Sequence, residues 1–292
     1  MASKGIELVD NERYCRVGHV EIQDRYGNWR SYPGLDFRFD ISYKADLYVD
    51  FNVGILGLSR ETINELTVWD VTKSARDARG IRVYAGYLDG GESLIAEGGI
   101  WYAMPTNPPE MWLNLQCKKF LNHYDVVEKP RVVEGSPSEI FSEIASELGM
   151  KATFDAKNVE VEGSQKFQIE GRRISLPVKF AETYHVITYD KGGYLVCKDR
   201  NFYKDTPRNK KVLDVNKGLL SIGNVNIQGA TITTRLNDEY LMMDWIELQS
   251  QLVPSANTSP YVVFEKRHKG HFRGNEWFTE LKTFRYMRGT VS

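Results

Sequence analysis

Alternation of apolar and polar residues most narrows what this chain can fold into. Phe37, Phe39, Ile41 and Tyr43 alternate with Arg38, Asp40 and Ser42, and Leu47, Val49, Phe51 and Val53 alternate with Tyr48, Asp50 and Asn52. A period of two puts each apolar set on one face of a half-buried strand. The pattern returns at 81–87, at 94–103 beyond a turn containing Gly90 and Gly91, and around Leu113, Leu115 and Cys117. Those glycines supply the positive φ of a hairpin, and the prolines of 104–109 mark a loop because they lack ladder donors. Ser59 caps a short helix, with Glu61 at its positive end and Ile63 and Leu66 facing inward. Residues 1–125 are therefore predicted as an all-β unit, closed or nearly closed into a small barrel that hides its strand edges.

The pattern changes in the middle of the chain. Ser136, Pro137 and Glu139 form a capping box with proline at the first helical position. Ile140, Phe141, Ile144 and Leu148 make one apolar stripe, and Gly149 ends the helix. Shorter strands at 165–170, 184–189 and 193–198 make residues 126–200 a small α+β domain. Residues 198–217 carry Lys198, Arg200, Lys204, Arg208, Lys210, Lys211 and Lys217 against three Asp. The plain reading is a solvated linker; the sharper one is a basic surface for an acidic partner or passing nucleic acid. Strands at 225–235, 244–250, 260–268 and 276–284 then build a second barrel unit within 201–292, with a turn at Gly270 to Gly274. The expected fold class is mainly β with an α+β insertion, two small β-barrel domains flanking an α+β middle domain.

Composition excludes some function classes. A net charge of −1 over 292 residues offers no overall excess of cations to neutralise a duplex. Cys15, Cys117 and Cys197 lie roughly 80 to 100 residues apart, which fits buried thiols in a reducing cytoplasm and neither a zinc cluster nor a disulfide framework. The first residues lack the apolar run of a signal peptide, and no 18-residue apolar stretch follows, so synthesis in a cytoplasm and no stable membrane insertion are expected. Abundant aromatics, 16 Tyr, 13 Phe and 6 Trp, suit strands and large interfaces.

Candidate chemistry is sparse. The phosphate-loop, dinucleotide-turn, His-Glu-x-x-His and Gly-x-Ser-x-Gly patterns are absent from the sequence. His268 and His271, with Glu265, could ligate zinc on a helix, but Gly270 and the strand pattern favour a hairpin end with surface histidines. Glu139, Glu143 and Glu147 share one helix face and are the only carboxylates proposed for hydrolysis; a solvated face is the preferred reading. Tyr184, His185 and Asp190 read as ordinary strand-surface polarity. Trp101, Tyr102, Trp112, Trp245 and Trp277 could stack on sugars or bases, with core or subunit packing preferred. No catalytic, cofactor-binding or metal residue is assigned, and no cofactor is expected.

An ordered set of motifs resembles a known family. Gly57-Leu58-Ser59 opens the small helix, Arg82-Val83-Tyr84-Ala85-Gly86-Tyr87 follows, and after a glycine turn comes Leu94 to Ile100. In the C-terminal part stand Gly218-Leu219-Leu220, Leu236-Asn237, Asp244-Trp245-Ile246-Glu247-Leu248 and Tyr261-Val262-Val263. His268, Gly270, Gly274, Trp277, Thr279 and Leu281 complete the series. With the helix from Ser136 to Leu148-Gly149, this order resembles the baseplate hub proteins of contractile-tailed bacteriophages. Met242-Met243-Asp244 departs from it, standing where a Gly-Asp turn is more usual, and the chain is shorter than many hubs, so an accessory domain is expected to be missing.

The resemblance implies a non-enzymatic virion protein of the tail baseplate with two tube-like barrels per chain. A homotrimer would present a pseudo-sixfold ring. Its implied partners are the tail-tube protein, the central spike protein, other baseplate proteins and the tape-measure protein, with DNA only in transit through the channel. Two readings of other classes stand beside it: a tail-associated cell-wall hydrolase and a carbohydrate-binding tail-tip protein.

Overall fold

The computed structural model describes residues 15–44, 46–67, 78–157, 159 and 163–287. The expectation about a leader falls on residues that lie outside this set. The first unit contains β1 (Arg16–Gln23), β2 (Trp29–Pro33), β3 (Asp36–Lys44), β4 (Asp50–Leu56), α1 (Arg60–Leu66), β5 (Gly80–Tyr87), β6 (Gly91–Pro105) and β7 (Trp112–Lys118). The middle region adds β8 (Arg131–Gly135), α2 (Pro137–Glu147), β9 (Lys151–Asp155), β10 (Gln165–Ile169), α3 (Leu176–Tyr184), β11 (Val186–Lys191) and β12 (Tyr194–Asp199). The last part holds β13 (Lys211–Leu213), β14 (Leu219–Gly223), β15 (Gly229–Arg235), β16 (Trp245–Leu248), β17 (Tyr261–His271) and β18 (Trp277–Arg285). Strands take 49 % of the described residues and helices 16 %, which fixes the class as mainly β.

One 13-stranded sheet runs through both β units in the order β14-β15-β18-β17-β3-β4-β7-β6-β5-β1-β2, with β16 and β13 branching from β17. The join is the antiparallel pair β17–β3, in register from Glu265 opposite Lys44 to His271 opposite Arg38. Two cores lie along this sheet. The first gathers Val20, Phe37, Phe51, Val83, Ile100 and Leu115 from strands spread along the sheet, which requires the sheet to curl around them. The second gathers Leu213, Ile232, Ile246, Tyr261, Val263 and Leu281. The two cores are not separate: side chains of the last part of the chain enter the first. Trp277 and Leu236 belong to the first core, and the Trp277 indole N–H donates to the Gly86 carbonyl at 3.2 Å.

The middle region is α2 and α3 packed with a three-stranded sheet, β11-β12-β9, and the antiparallel pair β10-β8, whose strands are separated in the chain by α2 and β9. The Ser136 capping box forms as predicted, both reciprocal bonds included. Its core around Phe141 and Phe180 also takes in Leu47. That position differs from the sequence reading: β4 begins at Asp50, and Leu47 leaves the strand face to plug the neighbouring domain.

Three further differences have local causes. Helix α3 was not expected, because Leu176 to Tyr184 has no side-chain cap at its start; its Pro177 lies in the first turn and His185 ends it at φ 54°. Gly270 is not in a turn but inside β17, where the Phe39 ring occupies the space a Cβ would need. Met243, the departure from the family pattern, sits at φ 64°, in the left-handed region that favours glycine. Its side chain, 6 % exposed, is buried with Trp245 and Phe202, and that packing offsets the backbone cost.

Candidate functional site: the junction of the β units and the middle domain

The densest polar chemistry lies where the three parts of the chain meet. Lysines on β17 alternate in and out, and Lys266 points inward, only 4 % exposed. Its ammonium bonds the Asp238 carboxylate. Asp238 also receives His268 Nε2 at 3.3 Å, while His268 Nδ1 lies 2.9 Å from the Thr279 hydroxyl. A carboxylate can only accept, so Nε2 carries the proton and Nδ1 is left as an acceptor facing the Thr279 hydroxyl, whose one proton serves either Nδ1 or the Asn237 carbonyl at 3.1 Å. Burial pushes the His268 imidazole down to about 4, so the ring is neutral at pH 7. Burial alone would raise the Asp238 carboxyl, but the bond from His268 and the attraction of Lys266 outweigh it and hold Asp238 below the usual range. Burial likewise drives the Lys266 ammonium down, with Asp238 opposing.

Hydroxyl, imidazole and carboxylate in a row is the order of a nucleophile relay. Here Thr279 and His268 are both fully buried, and the hydroxyl accepts from the Asn237 backbone N–H at 3.2 Å. No substrate can reach it, so the row is a structural brace. The Tyr43 ring, from β3, closes the brace: Lys266 lies 4.8 Å and Lys119 5.3 Å from its centroid.

Two more lysine–aspartate pairs extend the junction. Lys119, just after β7, reaches Asp190 of the middle domain at 2.6 Å. Lys191 of the same hairpin reaches Asp244 at 3.2 Å, and Lys211 reaches the other oxygen of Asp244 at 2.9 Å. Desolvation works to raise Asp244, but the bonds from Lys211, Leu241 N–H and Lys191 keep it low. Each part of the chain is thus tied to the next by an ion pair whose aspartate is largely buried, beside an apolar contact of Tyr189, Val196, Trp245 and Val262.

The residues singled out from the sequence are dispersed. His268 was expected at the surface and is fully buried, because β17 continues through it and the turn begins only after His271. His271 faces the other side of the strand, 3.2 Å from Asp36, and Glu265 pairs with Lys282 at 3.0 Å. Glu139 is held by the Ser136 N–H and hydroxyl, which lower its pKa, while Glu143 and Glu147 share Arg131. His185 ends α3, Tyr184 packs on Phe180 at 4.5 Å, and Asp190 serves Lys119 and the Gly193 N–H. Trp112, Trp245 and Trp277 are buried, whereas Trp101 and Tyr102 are exposed. Cys117 and Cys197 are buried, with burial raising Cys197 to about 12, but Cys15 is exposed.

The stretch 198–217 is only partly a linker. Lys198 reaches Asp205 at 3.3 Å, Lys210 pairs with Glu247 and Lys211 with Asp244, and β13 pairs with β16. Among the described residues no group of three or more His, Cys, Asp or Glu could hold a metal ion, and no helix is long and apolar enough to cross a membrane. Asp238 and Lys266 were the residues sequence reasoning missed. The signal available was Lys266 itself, which falls on the apolar side of the alternation through Tyr261, Val263 and His268 once the bulge between Val263 and Glu265 is allowed for.

Known structures define the class of fold. A tail protein from Neisseria meningitidis MC58 superposes with a TM-score of 0.57 at 10 % identity, covering 92 % of this chain and 96 % of that one. The 43 kDa tail protein of prophage MuSo2 from Shewanella oneidensis gives 0.58 at 8 % identity, covering 93 % and 97 %. An E. coli component of the type VI secretion system, described as structurally similar to the T4 tail proteins gp27 and gp5, gives 0.52 at 8 % identity, covering 86 % and 74 %. The architecture is that of phage-tail and related secretion-system components. At the level of sequence, the model of the family described as baseplate hub gp41 matches residues 44–283, and the chain belongs to that family. No curated protein sequence matches it.

Proposed function

We propose that the chain is a structural, non-catalytic hub whose three copies close into a pseudo-sixfold ring. The ring seats on the sixfold tail tube, receives the threefold central spike and leaves a channel for DNA in a contractile tail. Residues 1–125 and 201–292 act as the two tube-like units and 126–200 as the domain braced against them. Other baseplate proteins and the tape-measure protein are its further neighbours, and the protein reaches the virion after synthesis in the host cytoplasm.

The β17–β3 seam carries this reading. It joins strands from the first and last parts of the chain in one sheet; with each part taken as one tube-like unit, three chains offer six. The sheet face opposite the cores suits a channel wall. Arg267 is paired with Asp40, Lys269 with Glu276, Lys282 with Glu265 and Lys118 with Asp50. Phosphates passing such a face meet cations already neutralised, and tight binding is avoided. The hydrolase alternative loses its carboxylates to a helix cap and an arginine, and the carbohydrate alternative loses three of its tryptophans to the interior.

The test is the mass of the complex formed when the full chain is mixed with its tube and spike proteins. Three chains of 33.5 kDa per ring are expected. A chain that stays monomeric in their presence overturns the proposal.

A further inference from the structure

Residues 236–244 link β15 to β16 without forming a helix or strand, yet they enter three cores. Leu236 is buried with Phe37 and Trp277 in the first, and Tyr240 with Leu213 and Tyr261 in the second. Met242 and Met243 are buried with Tyr189 and Val196 of the middle domain. The segment therefore fastens the main sheet to the middle domain, and it does so with irregular backbone.

Side chains hold that backbone in place. The Leu236 N–H donates to the Tyr87 hydroxyl at 3.3 Å and the Asn237 N–H to the Thr279 hydroxyl at 3.2 Å. Lys211 donates to the Glu239 carbonyl, and the Leu241 N–H to the Asp244 carboxylate at 2.9 Å. Backbone bonds to the sheet come at the end of the segment. There the Met243 N–H reaches the Val263 carbonyl at 2.8 Å, and the Val263 N–H reaches the Asp244 carbonyl at 3.0 Å. Met243 itself lies at φ 64°, which costs backbone energy in any residue with a β-carbon. A strained segment with few ladder bonds can open at a lower free energy than the strands beside it.

The middle of the segment is fastened by charge. Asp238 accepts from Lys266 and from His268 Nε2 on the same oxygen, Oδ1, so one carboxylate serves two buried bases. β18 adds the Thr279 hydroxyl at 2.9 Å, and β3 adds the Tyr43 ring, edge-on at 5.9 Å. Beyond Tyr43 stand Lys119 and its partner Asp190, and Asp244 acts on Lys266 from further off. A second proton on the His268 ring would set two cations on the one Asp238 carboxylate, out of water, and Thr279 has no charge to offset it. Lifting the segment brings water to the ring and removes that penalty.

We propose that residues 236–244 form an acid-released clasp: proton uptake by His268 lifts the segment out of the three cores while the strands around it stay paired, and the middle domain is thereby loosened from the main sheet. Release is transmitted because Met242, Met243 and the Asp244 carboxylate, paired with Lys191, leave the middle domain together. The exposed ring takes its proton near 6.5 and the covered ring near 4, so opening is favoured roughly 30-fold more at about pH 5 than at about pH 7.5.

Hydrogen exchange of the full chain tests it, followed by mass spectrometry at both pH values in a series of urea concentrations below the unfolding midpoint and expressed as protection factors. Peptides covering 236–244 are expected to lose roughly 30-fold in protection at about pH 5, with little dependence on urea. Peptides from β4 and β7 are expected to stay more protected and to exchange with a steep urea dependence. Clasp peptides that match β4 and β7 in protection and urea slope at both pH values would show that the segment opens only with the whole fold, and overturn the proposal; so would clasp protection that pH leaves unchanged. His268→Gln is expected to abolish the pH response of the clasp. Tyr87→Phe provides an independent arm, because it removes one hydroxyl that holds the segment and leaves the Asp238 brace in place. Clasp protection should then fall roughly 2- to 10-fold at both pH values, with the ratio between them kept. A full pH response in His268→Gln, or a clasp unaltered by Tyr87→Phe, also overturns the proposal.

Discussion

His268 offers a direct measure of how the junction is held. In an unfolded chain the imidazole takes up a proton below about 6.5, whereas in the folded protein burial delays this to about 4. Between those values the unfolded state binds more protons, so folding stability rises with pH and is lost as the pH falls. Each pH unit in the window is worth about 1.4 kcal/mol. At about pH 5 roughly 2 kcal/mol of the stability present at neutral pH is therefore gone, and about 3 kcal/mol near pH 4. Replacing His268 with Gln keeps a neutral side chain capable of hydrogen bonding but removes the titration. Urea unfolding followed by tryptophan fluorescence, from pH 7.5 down to about 4.5, compares the two proteins. His268→Gln is expected to be less stable at neutral pH yet to lose about 2.5 kcal/mol less than the wild type on acidification to about pH 4.5. Parallel pH profiles for the two proteins would refute the assignment of His268 as a buried neutral base.

Two further perturbations probe the same region. Asp238→Ala leaves the Lys266 ammonium buried without its partner and is expected to cost roughly 3–5 kcal/mol in equilibrium unfolding, most of it recovered when Lys266→Met is added; full additivity of the two changes would show that the pair does not interact. Gly270→Ala pushes a methyl group into the Phe39 ring at the β17–β3 seam and is expected to cost about 1–3 kcal/mol, less in a Phe39→Leu background, again by urea unfolding.

Much of the fold was legible because period-two alternation and capping chemistry are local. The strands around Phe39, Val83 and Leu115 and the helix capped by Ser136 fall where side-chain pattern alone puts them. What was not legible depends on pairing between distant residues. Nothing near Gly270 says that its missing Cβ makes room for Phe39, more than 200 residues away, so it read as a turn. Leu47 fitted a strand face until the neighbouring domain claimed it. His268 read as a surface residue because its burial rests on Asp238 and Thr279, which only the folded sheet brings to it.

The central claim, three chains forming a six-lobed ring, is tested most directly by electron microscopy of the complex with tube and spike, viewed down the axis. Three copies of this chain, six similar lobes alternating around the ring, and an open centre faced by the β3, β17 and β18 strands are expected. A single copy per complex, or a two-fold dimer with no central opening, would contradict it.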